Sequence, residues 1–203
     1  MDILEFVGIP TGNICDSNGL LGSMDPGIQA LDRNMTVVGR AFTVECPPGD
    51  NLTIHKAILE AQPGDVLVVS CGGYLHAGGF GELMATACAA KGIAGIVIDG
   101  ACRDKNDLIE MNFPTFVRGT CPNGTVKEAC GTTGGTVLCG GRTVAKGDII
   151  IGDCDGVVVI PKADAPAVLE RSKLKKAKEA EIREKLAQGI TTAELFNLTP
   201  KFR

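Results

Sequence analysis

Gly64-Asp65-Val66-Leu67-Val68-Val69-Ser70, then Gly81-Glu82-Leu83-Met84 leading an apolar stretch to Lys91-Gly92, then Ile93-Ala94-Gly95-Ile96-Val97-Ile98: these three pieces decide the fold. A Gly-Asp turn opens a β-branched run that reads as a strand over 66–70. The second piece predicts a helix over 82–91, with Gly92 as its C-terminal stop. The third reads as a strand over 93–98. Strand, helix and strand joined by short links imply a right-handed parallel crossover. The residues of 72–81 are glycine-rich and read as the connection into the helix.

Working outward, residues 36–45 alternate and are β-branched, which predicts a strand, and Asp50 is placed to cap a helix over 52–61. Downstream, 104–111 reads as a short helix and 114–117 as a strand. The pattern then changes: 137–139, 149–151 and 157–160 read as strands of an antiparallel half, with Asp155-Gly156 as a hairpin turn. From Asp164 a long helix begins, with Pro166 in its first turn and Gly189 as its stop, and a short helix over 192–197 follows. This long helix has too few large apolar residues to be buried all round. The expected architecture is a single α/β domain over 1–203, mixing parallel and antiparallel strands, with a C-terminal helical extension from about residue 164.

Composition narrows the function classes. At 203 residues and 44% hydrophobic, the chain can bury a core. A formal charge of −4 gives no global attraction to nucleic acid. The basic residues between Arg171 and Lys178 are flanked by Glu170, Glu179, Glu181 and Glu184, the pattern of a solvated helix face. The apolar runs are strand-sized, too short for a bilayer crossing, and Asp2 and Glu5 do not fit a signal peptide, so a cytoplasmic, membrane-free protein is expected. The nine cysteines are odd in number, unevenly spaced and lack any C-x-x-C pair, which argues against a disulfide framework and a zinc site. Even the regular interval Cys121, Cys130, Cys139 lies in a Gly- and Thr-rich region of strands and turns.

In a parallel crossover, the helix start and the residues just past the second strand share the edge where ligands bind. Here that edge joins Gly81, Glu82, Leu83 and Met84 to Arg103 and Asp104. Free amides in a first helical turn suit a substrate carboxylate, and Gly78, Gly79 and Gly81 let the backbone approach closely. Asp104 alone can hold Mg²⁺ if substrate oxygens and waters complete the shell. Arg103 is placed to meet a 2-oxo oxygen as negative charge develops there. Each residue has a plainer reading: Glu82 as a favourable first-turn acid, Arg103 and Asp104 as surface groups, and His55 and His76 as packing or solvent-facing histidines. His76 lies nearest the glycine run, while the direction of Asp99 is left open.

Glu82, a gap of twenty residues, and Arg103-Asp104 after Val97-Ile98-Asp99-Gly100 together resemble the family joining the class II 4-hydroxy-4-methyl-2-oxoglutarate aldolases with the regulators of ribonuclease E activity. The resemblance extends to Gly39-Arg40-Ala41, Asp50-Asn51-Leu52, the 64–69 run, and Gly152-Asp153 through Gly156-Val157. It implies a three-layer β/β/α swivelling domain, homotrimers or hexamers with sites near subunit interfaces, and a small 2-oxo acid substrate. It further implies Asp104 as ligand to Mg²⁺ or Mn²⁺, Arg103 on the pyruvyl oxygen, the segment from Gly81 to Met84 on the substrate carboxylate, and Glu82 ordering a water. Two departures stand out: Ser70 and Cys71 occupy positions where many relatives place an acid, and Glu82 replaces the commoner Asp.

The activity so implied is retro-aldol cleavage of a 4-hydroxy-2-oxo acid to pyruvate, with oxaloacetate decarboxylation through the same enolate. Lys91 and Lys105 would matter only if Schiff-base chemistry replaced the metal. The alternative is a non-enzymatic binding protein of the ribonuclease E regulator type, and a lyase or hydrolase acting on another oxo acid would use the same residues.

Overall fold

The computed structural model describes residues 1–202. In chain order the helices are α1 (Thr11–Ser17), α2 (Leu52–Glu60), α3 (Glu82–Ala90), α4 (Lys105–Glu110), α5 (Ala165–Ala187) and α6 (Thr192–Leu195). The strands are β1 (Gln29–Ala30), β2 (Val37–Glu45), β3 (Asp65–Gly78), β4 (Gly95–Cys102), β5 (Thr115–Thr120), β6 (Thr132–Thr133), β7 (Thr136–Cys139), β8 (Arg142–Ala145), β9 (Ile149–Asp153) and β10 (Gly156–Ile160).

The main sheet runs β1-β5-β4-β3-β2-β9-β10, with β6 paired to β2. Strands β2 to β5 are mutually parallel, and β1, β6, β9 and β10 each pair antiparallel. Because crossovers of one hand carry the chain from β2 to β5, α2, α3 and α4 fall on the same face. There Phe42, Leu67, Val69, Ile96 and Ile98 of the strands meet Ile54, Met84, Cys88 and Leu108 of the helices. On the opposite face Val66, Val68, Val97 and Phe116 pack against Val137, Cys139 and Val144 of the β7–β8 hairpin. Hairpin, central sheet and helices are the three layers, so the mixed α/β architecture is as expected.

The N-terminal segment, α1 and the start of α5 close a third cluster over β9 and β10. Only Ala165, Val168, Leu169 and Ser172 of α5 are buried, which matches its sparse apolar face. Among the described residues no helix is long and apolar enough to cross a membrane.

Three sequence expectations need correcting. The glycine-rich stretch after Ser70 is not a free connection: β3 continues to Gly78 and re-pairs with β4 through Tyr74↔Gly100 and Gly78↔Ala101 after a register shift. Gly72 and Gly73, at φ 63° and 75°, supply the left-handed backbone that this bulge requires. Likewise β4 begins at Gly95 and runs through Asp99 to Cys102, which delivers Arg103 and Asp104 directly from a strand end. The β9–β10 turn lies at Cys154-Asp155, with Gly156 already paired to Asp153.

Asp50 ties two parts of the chain together. The N-cap of α2 is Asn51 rather than Asp50, but Asp50 Oδ1 accepts the first N–H of the helix, from Leu52, at 2.7 Å, and its Oδ2 accepts the N–H groups of Glu128 and Ala129, each at 2.7 Å. Burial alone would raise this carboxyl, but the N–H groups of Ala129, Leu52, Glu128 and Asn51 outweigh it and hold it below the ordinary carboxylate value. A depressed carboxyl stabilises the fold fully above the unfolded value, and that contribution is lost as pH falls through the folded one. We therefore expect Asp50→Ala to lower stability at neutral pH by about 2–4 kcal/mol, since three backbone donors lose a charged acceptor. The variant should also flatten the acid limb of stability. Thermal melts from about pH 7 to about pH 3 read both effects, and parallel curves for wild type and variant would contradict them.

Candidate active site

At the carboxyl ends of β3 and β4 lies a cleft of about 540 Å³. The start of α3 forms one wall, with Gly81, Glu82, Leu83 and Met84. Arg103, Asp104 and Asp107 form the second, and Asn51, His55 and the segment reaching Lys127 form the third. All six residues singled out from the sequence, Gly81, Glu82, Leu83, Met84, Arg103 and Asp104, line this cleft.

Glycines make the assembly possible. A Cβ at position 81 would overlap Asp104 Oδ2 and lie 3.2 Å from Arg103 Cγ, and one at 78 would lie 2.8 Å from Arg103 Cβ and 2.6 Å from the Cys121 carbonyl. The strand end is then clamped to the loop by Arg103 N–H to Phe80 O, and Gly79 N–H to Ala101 O, both at 2.9 Å.

Asp104 sits in the left-handed region at φ 56°, a conformation that Asp tolerates better than most residues. Its Oδ2 accepts the Glu82 N–H at 3.2 Å and lies 3.5 Å from Arg103 Nε. One amide at the positive end of α3 therefore holds a protein carboxylate. The amides of Gly81 and Leu83 have no acceptor among the described residues, and Asp104 Oδ1 has no donor there. The Asp104 and Arg103 side chains remain 37% and 45% exposed, open to a ligand. Glu82, at the cleft wall, accepts a hydrogen bond from Thr86 Oγ1 at 3.0 Å.

Sequence reasoning gave Asn51 no role, yet it lines the cleft at 6% exposure. Its Nδ2 donates to Gly79 O at 3.1 Å, leaving Oδ1 buried without a partner. The histidines exchange rank: His55 lines the cleft, whereas His76 is exposed on the β3 arm, edge-on to Tyr74 at 5.4 Å and absent from the lining. Burial, and then the charge of Lys127, push His55 below its ordinary value. Asp99 is turned away into a structural tie, pairing with Arg118 Nε and accepting Gly140 N–H at 3.0 Å. Lys91 is likewise occupied, its Nζ donating to the carbonyls of Ile58 and Leu59 at the end of α2, both at 2.7 Å. Among the described residues no group of three or more His, Cys, Asp or Glu side chains converges as a metal cage.

A three-layer domain with an Arg-Asp pair set against a helix start defines a recognisable class. The chain belongs to the RraA-like family, whose Aldolase/RraA model matches residues 11–159. It is 41% identical over 175 residues to a Halalkalibacterium halodurans protein named, provisionally, as a 4-hydroxy-4-methyl-2-oxoglutarate aldolase, covering 86% of this chain and 83% of that one. A solved structure from Pseudomonas syringae pv. tomato superimposes with a TM-score of 0.84 at 30% identity, over 93% of both chains. Streptomyces coelicolor RraAS2, described as an unusual member of the RNase ES inhibitor RraA family, superimposes with a TM-score of 0.82 at 28% identity, over 90% of this chain and 96% of that one.

Proposed function

We propose that this protein is a divalent-metal-dependent carbon-carbon lyase, cleaving 4-hydroxy-4-methyl-2-oxoglutarate or a related 4-hydroxy-2-oxo acid to pyruvate, with oxaloacetate decarboxylation as a side activity. The observation that carries this reading is the delivery of Arg103 and Asp104 from the end of β4 against the unpaired amides of α3. A regulator that only masks a partner has no need of that arrangement.

The residues fit a hard divalent cation. Asp104 offers a half-exposed carboxylate with Oδ1 free, in a cleft wide enough for the ion to keep several waters, as Mg²⁺ and Mn²⁺ do on single-carboxylate sites. When bound, the ion supplies Lewis-acid stabilisation of negative charge on the substrate's 2-oxo oxygen. Around it the chain's own groups divide the work. The amides of Gly81 and Leu83, at the positive end of α3, hold the substrate carboxylate. Arg103 aims its guanidinium at the oxygen where enolate charge develops, a charge-assisted bond that strengthens as the bond between C3 and C4 breaks. Glu82 orders the water that accepts and returns protons. His55, on another wall of the cleft and held below its ordinary value, can accept a hydrogen bond from the 4-hydroxyl group.

We also propose that the working form is a homotrimer or hexamer. Leu59 and Leu83, each 77% exposed on α2 and α3, leave apolar side chains on the helix layer, and Leu83 also lines the cleft.

The test is metal removal. EDTA treatment should abolish turnover of a 2-oxo acid without unfolding the protein, because the ion is held by one protein carboxylate and the three-layer core does not depend on it. Mg²⁺ or Mn²⁺ should restore the rate. Full turnover after exhaustive chelation would contradict the proposal.

A further inference from the structure

We propose that Cys46 and Cys71 form a reversible disulfide across β2 and β3 that slows the site. The two strands are parallel, with Glu45 opposite Ser70, and the ladder continues for one more bond, Cys46 N–H to Ser70 O at 2.9 Å. That bond sets Cys46 opposite Cys71. Both side chains fall on the helix face of the sheet and pack into the same cluster. Neighbouring strands lie about 4.8 Å apart, inside the roughly 4.4–6.8 Å Cα separation that a disulfide spans. The thiols are close neighbours. Cys71 is the main influence holding the Cys46 thiol below its ordinary value, and Cys46, with burial, pushes Cys71 up. Cys139 is no competitor, because it packs on the opposite face with its Sγ donating to the Val69 carbonyl.

The chemistry balances with hydrogen peroxide as oxidant. Cys71 is partly exposed and Cys46 is buried. Peroxide transfers one oxygen to whichever sulfur of the pair carries the thiolate, giving its sulfenic acid and one water. The second sulfur then attacks the first: the S–S bond forms, the S–O bond breaks, and the hydroxyl leaves with the second thiol's proton as a second water. Two thiols are oxidised, one peroxide is reduced, and dithiol reagents reverse the step.

Both halves of the link lead to the cleft. The Cys46 thiol donates to the Asp50 carbonyl at 3.1 Å, and the next residue is Asn51, whose amide holds the Gly79 carbonyl. Cys71 opens the Gly72-Gly73 bulge and the arm ending at Gly78, where Arg103 packs. Drawing the sulfurs into a bond removes the donor from Asp50 and shifts both strand ends.

The experiment treats the full-length protein with peroxide, blocks free thiols with N-ethylmaleimide and maps tryptic peptides. A disulfide joining peptide 41–56 to peptide 57–91, assigned to Cys71 rather than Cys88 by fragmentation, is expected. It should be accompanied by an approximately tenfold fall in kcat/KM, the scale of a sub-ångström misplacement, which dithiothreitol reverses. Cys71→Ser should give no link and keep its activity through the same treatment. The activity arm rests on the lyase reading, but the peptide map does not. If the reduced protein turns over nothing, that reading fails, and faster hydrogen exchange over residues 49–55 on oxidation becomes the readout. Separate alkylation of Cys46 and Cys71 after peroxide, or a mapped link with activity and exchange unchanged, would overturn the inference.

Discussion

Replacing Asp104 with Asn should abolish metal-stimulated turnover while leaving the protein folded. Asn is the informative substitution because position 104 lies at φ 56°, where Asn is tolerated and Ala is strained. An Asn carbonyl can still accept the Glu82 N–H, so the clamp between the strand end and α3 survives. What disappears is the negative charge that would hold the cation. The loss should reach at least about 10³-fold in kcat, the combined worth of a Lewis acid and the orientation it gives the substrate. Added Mg²⁺ should raise the residual rate only at concentrations far above those that saturate the wild type. A variant with wild-type kcat and wild-type Mg²⁺ dependence would remove Asp104 from the site. A variant that failed to fold would show instead that its principal role lies in the clamp, which circular dichroism and a thermal melt would reveal.

Gly81→Ala should be nearly as damaging, from the addition of a single methyl group. The backbone at 81 is extended, at φ −159°, so Ala costs nothing in conformation. The new Cβ, however, lands on Asp104 Oδ2 and crowds Arg103 Cγ, both side-chain atoms that can swing away. The fold should therefore persist with a melting temperature close to wild type, while the carboxylate and guanidinium leave their positions. A displacement near 1 Å is enough to cost on the order of 10² in rate. Unchanged kcat/KM in a well-folded Gly81→Ala protein would mean that the close approach of positions 81 and 104 is incidental to function.

The central crossover was legible because its signals are local: a β-branched run, an apolar helix closing on Gly92, and a second run leading into Arg103-Asp104. The β3 arm was not, because glycines at 72 and 73 look like a turn; only the partner strand reveals that they form a bulge after which pairing resumes. Elements too short to carry a period escaped as well: β1, β6, the β8 half of the β7–β8 hairpin, and α1. The last is rich in poor helix formers and is held by Asp153, which accepts the Thr11 N–H at 2.9 Å and its hydroxyl at 2.7 Å.

The same limit shaped the reading of the site. Glu82, Arg103 and Asp104 belong to one crossover, so the topology placed them together. Asn51 and His55 come from α2, and Lys127 from a loop that Asp50 pins more than seventy residues away in sequence. No spacing in the chain links those residues to Arg103. The sequence offers Asp50 as the cap and gives its neighbour Asn51 no role, so the unpaired Oδ1 of Asn51 is visible only in three dimensions. His76 lies nearest the glycine run in sequence, but the arm carries it outside the cleft lining, exposed as its plainer reading has it.

The most direct measurement is pyruvate release, followed with a coupled dehydrogenase, from a panel of 2-oxo acids with and without Mg²⁺ or Mn²⁺. The panel should include 4-hydroxy-4-methyl-2-oxoglutarate, other 4-hydroxy-2-oxo acids and oxaloacetate. Metal-dependent pyruvate formation from at least one 4-hydroxy-2-oxo acid, with slower release from oxaloacetate, is the expected result. No pyruvate from any member, with either metal and a folded protein, would contradict the lyase and leave the partner-binding role of an RraA-type regulator in its place.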